Sequence, residues 1–198
     1  VLGVAEHARV SGKDFIVAVA LAYEIYLRMS DAVHTPGFDC TNFACMGSAL
    51  GAGKLLQLSA EQLAQCLSMA VVPNNALNQA RTGHLSMWKA VAAGQAGRAG
   101  VFAALLAAVG MKGPQAPFEG KAGWCNHVAK RSFSLDAFGG NSTPFKITDT
   151  LIKPRASCAT TISSILAAEK TAASLADIAQ IEKVTVEVYE RAKIGMGT

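Results

Sequence analysis

Apolar residues recur at helical spacing through the first 140 positions of this 198-residue chain. Ser11-Gly12-Lys13-Asp14 is a capping signature before an apolar run. The helix it opens carries Phe15, Val19, Ala22, Ile25 and Tyr26 on one face and is predicted to end near Ser30. A loop follows from Val33 to Thr41, with His34, Pro36 and Gly37, and Asn42 is placed to cap the next helix, which runs to Leu56. Ser59-Ala60-Glu61-Gln62 is a second capping box, and its helix stops before Pro73-Asn74-Asn75.

A polar stretch, Gly83 to Lys89, then leads into a long Ala/Gly helix that stops at Gly110. Gly94, Gly97 and Gly100 recur in it at every third position. A glycine inside a helix costs roughly 1 kcal/mol relative to alanine. Close approach of a neighbouring backbone is the usual offset, so this helix is expected at the buried centre of a helical core.

The pattern changes after a turn-rich stretch (Gly113 to Gly123) and a polar connector (Val128 to Ser142). Phe145 to Ile152 reads as a strand, Ser157 to Ala173 as a helix, and the alternation from Val184 to Tyr189 as a second strand. The predicted fold is therefore mainly α. An all-α helical domain spans residues 1–140, and the start of a smaller, truncated α+β lid domain spans 141–198.

Composition narrows the function classes. The chain is 51% hydrophobic and 16% charged, which argues for a packed core and against disorder. A net charge of +4 fits an anionic small-molecule substrate. No Lys/Arg run and no basic helix with interleaved aromatics is present, so nucleic acid is not expected as a partner. The longest apolar run, Val101 to Val109, falls short of the roughly 20 residues a bilayer requires, so no membrane partner is expected either. The five cysteines (Cys40, Cys45, Cys66, Cys125 and Cys158) lack C-x-x-C or zinc-finger spacing and read as reduced thiols of a cytoplasmic protein.

Three places can carry chemistry. Lys89, in the first turn of the Ala/Gly helix, is either a lysine reaching out to water or a carboxylate-binding cation reinforced by the helix N-terminus. His84, in the same mouth, is either a surface or capping residue or an acid/base group near neutral pH. In Lys153-Pro154-Arg155-Ala156-Ser157-Cys158, the two cations are either a solvated turn or a second cationic wall. Cys158 is either a packing residue or a thiol with its pKa lowered at a helix start. Gly47 to Lys54 is not a phosphate loop, because Leu55 follows Lys54 where Ser or Thr is required. No G-x-S-x-G elbow, H-E-x-x-H or EF-hand pattern occurs, and no metal or other cofactor is predicted.

Thr82 to Ala90, the run A-A-G-Q-A-G-R-A-G-V-F-A-A-L-L-A from Ala92 to Ala107, and G-M-K-G-P-Q-A-P-F-E-G from Gly110 to Gly120 together resemble the MmgE/PrpD family. That family includes 2-methylcitrate dehydratase, cis-aconitate decarboxylase and iminodisuccinate epimerase. Gly47 to Ser59 resembles the helix pair before the lysine motif, and Lys153 to Cys158 resembles the segment opening the family's second domain. The resemblance implies an all-α domain followed by an α+β lid, a homodimer, and a metal-free cleft for small di- or tricarboxylates. By position, Lys89 matches the active-site lysine and Lys153 the lysine at the start of the lid. Cys158 falls where members carry a histidine or a cysteine. The family often has a histidine after the Gly-Phe of the loop, whereas Asp39 follows Gly37-Phe38 here. The resemblance also implies that the chain is an internal segment, lacking an upstream helical part with an active-site Asp and His motif.

The function expected on this basis is that of a cofactor-free lyase of the dehydratase type, acting on a polycarboxylate such as 2-methylcitrate. Lys89 and Lys153 would clamp carboxylates and transition-state charge, Arg155 would assist binding, and His84 and Cys158 would handle or position protons. The alternatives are a decarboxylase or epimerase of the family, or a non-catalytic fragment or assembly subunit.

Overall fold

The computed structural model describes residues 1–140 and 142–189. It divides into two compact units, Val1–Thr150 and a second beginning at Leu151. Asn141 and residues 190–198 of the expected lid lie outside the described residues.

The first unit is helical. Its α-helices are α1 (Leu2–Ala8), α2 (Gly12–Ala32), α3 (Thr41–Leu55), α4 (Ala60–Val71) and α5 (Trp88–Ala108). Short 3-10 turns (Asn78–Arg81, Lys146–Asp149) and a π-turn (Cys125–Ala129) complete it. Both capping signatures do what the sequence predicts. Ser11 Oγ accepts from Asp14 N at 3.1 Å, and Ser59 and Gln62 exchange reciprocal bonds at 3.2 and 3.0 Å. Asn42 does not cap α3. The helix starts earlier, behind Cys40, so Asn42 sits in its first turn with its amide free for another task.

The buried centre is α3 rather than α5. Its Phe-Ala-Cys-Met-Gly-Ser-Ala-Leu-Gly-Ala-Gly run is apolar or small on every side, which suits a helix covered all round. One side of α3 takes α2 at very short range: a methyl on Gly47 would stand 2.5 Å from the Ala22 carbonyl oxygen. Its other side takes α5, where a methyl on Gly100 would stand 2.5 Å from Cys45 O and 2.7 Å from Ala49 N. α5 buries only the stripe Ala92, Ala96, Ala99, Gly100, Ala103, Ala104 and Ala107, leaving Trp88, Val91, Phe102 and Leu105 exposed. Among the described residues, α5 alone matches a bilayer span by length and composition, but its small-residue stripe is spent on the close seam with α3. Of the three periodic glycines, only Gly100 is needed for that seam.

Gly100→Ala is therefore expected to lose about 2–3 kcal/mol through overpacking. Gly94→Ala, with nothing within 4 Å of the added methyl, should gain up to about 1 kcal/mol from helix propensity. Urea denaturation of the two variants checks the contrast.

A second cluster gathers the sparse aromatics. Trp124 meets Phe43, Phe118 and Phe133 with ring centroids 6.3, 6.0 and 5.8 Å apart. Side chains of α4 fasten the last turn of α5 and the chain beyond it: Gln62 Nε2 donates to Ala107 O at 3.3 Å and Gln65 Oε1 accepts from Gly113 N at 2.9 Å. The end of the unit is held by Glu24 of α2, which is fully buried. Its carboxylate accepts from Arg28 Nε at 2.9 Å, Gly139 N at 2.8 Å and Lys146 N at 2.7 Å.

The strand expected over Phe145–Ile152 does not form. Lys146 N donates to Glu24 instead of to a neighbouring strand, and Thr148 N folds back onto Phe145 O at 3.1 Å, closing a 3-10 turn. The second unit contains a 3-10 turn (Ala159–Thr161), α6 (Ile162–Ala172) and a 3-10 turn (Ile178–Gln180). Val184 to Tyr189 has no regular structure, and no strand is present among the described residues. Its period-2 alternation finds no ladder partner there, and an unpaired segment is not a sheet.

Candidate functional site

The loop after α2 and the loop after α4 meet as a short antiparallel contact. Phe38 bridges Leu77, Asp39 N donates to Ala76 O at 2.9 Å, and Asn78 N donates to Gly37 O at 2.9 Å. Gly37, at φ +83°, supplies the left-handed turn this geometry requires. Between this contact, the first turn of α3 and the start of α5 lies a cavity of about 610 Å³. That size suits a small-molecule ligand. Asp39 and Asn42 contribute to its floor, Ala76 and Gln79 to the loop side, and Ser86, Trp88 and Gln95 to the α5 side.

Asp39 is fully buried and carries the formal charge of this lining. Its Oδ1 accepts from Thr41 N at 2.8 Å and its Oδ2 from Arg81 Nε at 2.5 Å. Burial by itself favours the protonated acid. The Arg81 guanidinium and the Thr41 N–H outweigh it and hold the carboxyl below its ordinary range, while Asp39 raises Arg81 in return. The pair brings no net charge to the cavity wall. Nearby, burial and then the Cys40 thiol push the Tyr26 hydroxyl upward, so it stays protonated. Cys45, which also lines the cavity, is a buried thiol raised to about 11 by desolvation and donates to Ala70 O at 3.7 Å. It behaves as an inert packing residue.

Lys89 directly follows the cavity-lining Trp88 in the first turn of α5 and is half-buried. His84 is exposed in the loop before it, and neither His84 nor Lys89 is among the residues that line the cavity. The other sequence candidates belong to the second unit. Lys153, Arg155 and Cys158 line one open groove of about 550 Å³. Lys153 Nζ donates to Ser157 O at 3.0 Å, closing its own loop. Arg155 is exposed and has its fork spent on Glu169, with both bonds at 2.6 Å. Cys158 precedes a 3-10 turn and lies four residues ahead of Ile162, where α6 begins, rather than in the helix's first turns; its Sγ lies 3.4 Å from Thr160 Oγ1.

Sequence reasoning singled out Asp39 only as a departure from a pattern, and passed over Arg81 and Asn42 as chemistry. Their signal was faint. Asp39 and Asn42 read as ordinary loop and capping residues, and no sequence pattern marks Arg81.

No group of three or more His, Cys, Asp or Glu side chains with metal-binding geometry occurs among the described residues. In comparison with known proteins, the family model for the MmgE/PrpD N-terminal domain matches residues 1–136.

Proposed function

The chain belongs to the MmgE/PrpD family, and from that premise we propose that it forms part of a cofactor-free lyase acting on a small di- or tricarboxylate such as 2-methylcitrate. The observation that carries the reading is the position of Lys89. The lysine of the family-like motif directly follows Trp88, which lines a ligand-sized cavity, on the N-terminal turn of a 21-residue helix. Removing a proton alpha to a carboxylate builds negative charge. A cation beside a helix N-terminus favours such charge. Asp39 does not oppose an anion here, because Arg81 balances it at contact distance.

In this proposal Lys89 clamps a carboxylate and stabilises the developing anion. Lys153 is proposed as a second cation, Arg155, once released from Glu169, as a binding residue, and His84 and Cys158 as groups that position or move protons. The working molecule is a cytoplasmic homodimer. Dehydration, decarboxylation and epimerisation can all start from such a site: proton abstraction forms the carbanion-like state in the first and third, and loss of CO2 forms it in the second.

A second reading is favoured by Asp39 itself. An acid with both oxygens engaged stands where the family often has a histidine, which suits a binding or assembly role without turnover. An NMR product screen of the intact protein with 2-methylcitrate, cis-aconitate and iminodisuccinate separates the two. A new product signal with one substrate supports the enzyme, and three unchanged spectra overturn it.

A further inference from the structure

Asn42 is 3% exposed, lines the cavity, and has its amide orientation fixed by its surroundings. Its Oδ1 accepts from Ala76 N at 2.7 Å. Flipping the amide would set two donors against each other, so Nδ2 is the end left over. Nδ2 is shut off from bulk solvent and has no hydrogen-bond partner among the described residues. An orphaned buried donor costs about 1–3 kcal/mol.

The neighbouring asparagines in the lining are already in use. Asn74 Nδ2 donates to Met69 O and Ala70 O, and Asn75 Nδ2 to Val71 O and Val72 O. Asn75 Oδ1 accepts from Trp124 Nε1 at 3.0 Å. Both oxygens of Asp39 are also engaged. The cavity therefore holds a rigid, unspent donor beside a neutralised acid, an arrangement that suits a ligand oxygen.

We propose that Asn42 is a substrate-positioning residue whose Nδ2–H donates to a carboxylate oxygen of the ligand seated in this cavity. The inference rests on the polycarboxylate reading above and deepens it by assigning one carboxylate to α3. The bond would fix which end of an unsymmetrical acid faces α3.

Calorimetric titration of the intact protein with citrate tests the idea, comparing the parent with Asn42→Asp. That substitution keeps the shape and the acceptor for Ala76 N–H while replacing the donor with an oxygen. A hydrogen bond to a charged group is worth about 1.5–3 kcal/mol, so citrate binding should weaken on the order of 10–100-fold. The Asn42 side-chain amide resonances of the parent should also shift on citrate addition, a readout that needs no variant to fold. Parent binding with an unchanged Kd in Asn42→Asp, or with unmoved amide resonances, overturns this assignment and leaves the polycarboxylate reading standing. A parent protein that binds no citrate overturns both.

Discussion

Replacing Lys89 with alanine is expected to lower kcat/KM by about 10²- to 10³-fold, the scale of losing one preorganised stabiliser of transition-state charge. The melting temperature should stay within about 3 °C, because Lys89 is half-buried at a helix start and lies outside the close α3–α5 seam. Lys89→Met keeps most of the apolar stem and should fall equally far, which separates charge from packing. The effect should appear in kcat as well as KM if the ammonium acts on the developing anion rather than on bound substrate alone. Steady-state kinetics on whichever acid the product screen identifies, run beside thermal melts, reads both. Near-parental turnover in Lys89→Ala removes the lysine from the mechanism.

The largest stability effect is expected at Glu24. Glu24→Ala removes a buried carboxylate from three donors at once, leaving Arg28, with its side chain 9% exposed, and two backbone N–H groups without their acceptor. Breaking a buried ion pair from one side costs about 3–5 kcal/mol. Equilibrium urea denaturation should show this loss, and the segment from Gly139 to Lys146 should become accessible to protease before the rest. The pH dependence has a definite sign. Burial by itself favours the protonated form of Glu24. The Lys146 and Gly139 N–H groups, with Arg28, outweigh it and hold its pKa below the ordinary 4.5. A depressed folded pKa contributes stability that is complete above the unfolded value and is lost as pH falls through the folded one. Asp39, held below 3.8 by Arg81 and Thr41, acts in the same direction. The protein should therefore lose stability below about pH 4.5. Glu24→Gln should blunt that acid sensitivity while lowering stability at neutral pH.

The helices were legible because their signals are local. Ser11 and Ser59 cap within three residues of themselves, and the Ala/Gly run announces a close seam from composition alone. Which helix lies at the centre was harder to see. α5 and α3 are both rich in small residues, and only the three-dimensional arrangement shows α3 covered on every side. Lys89 and His84 were found because a motif marks them. Glu24, Asp39 and Asn42 were not found as buried polar centres. A charged or amide residue at a helical or loop position ordinarily faces water, and nothing nearby in sequence announces donors that arrive from remote segments. The strand over Phe145–Ile152 failed for a related reason. Its pattern is local, but a ladder needs a partner, and Glu24 takes the Lys146 N–H instead.

That carboxylate also bears on the order of events during synthesis. Its two backbone donors lie 115 and 122 residues downstream of Glu24. When α2 emerges from the ribosome, a charged group faces the forming interior with only its helical neighbour Arg28 beside it. The remaining donors are still untranslated, so the first helices cannot reach their final arrangement until Lys146 has been made. Completion of this unit waits for its last turn, and a nascent chain stalled before Gly139 would present chaperones with an interior that is still open.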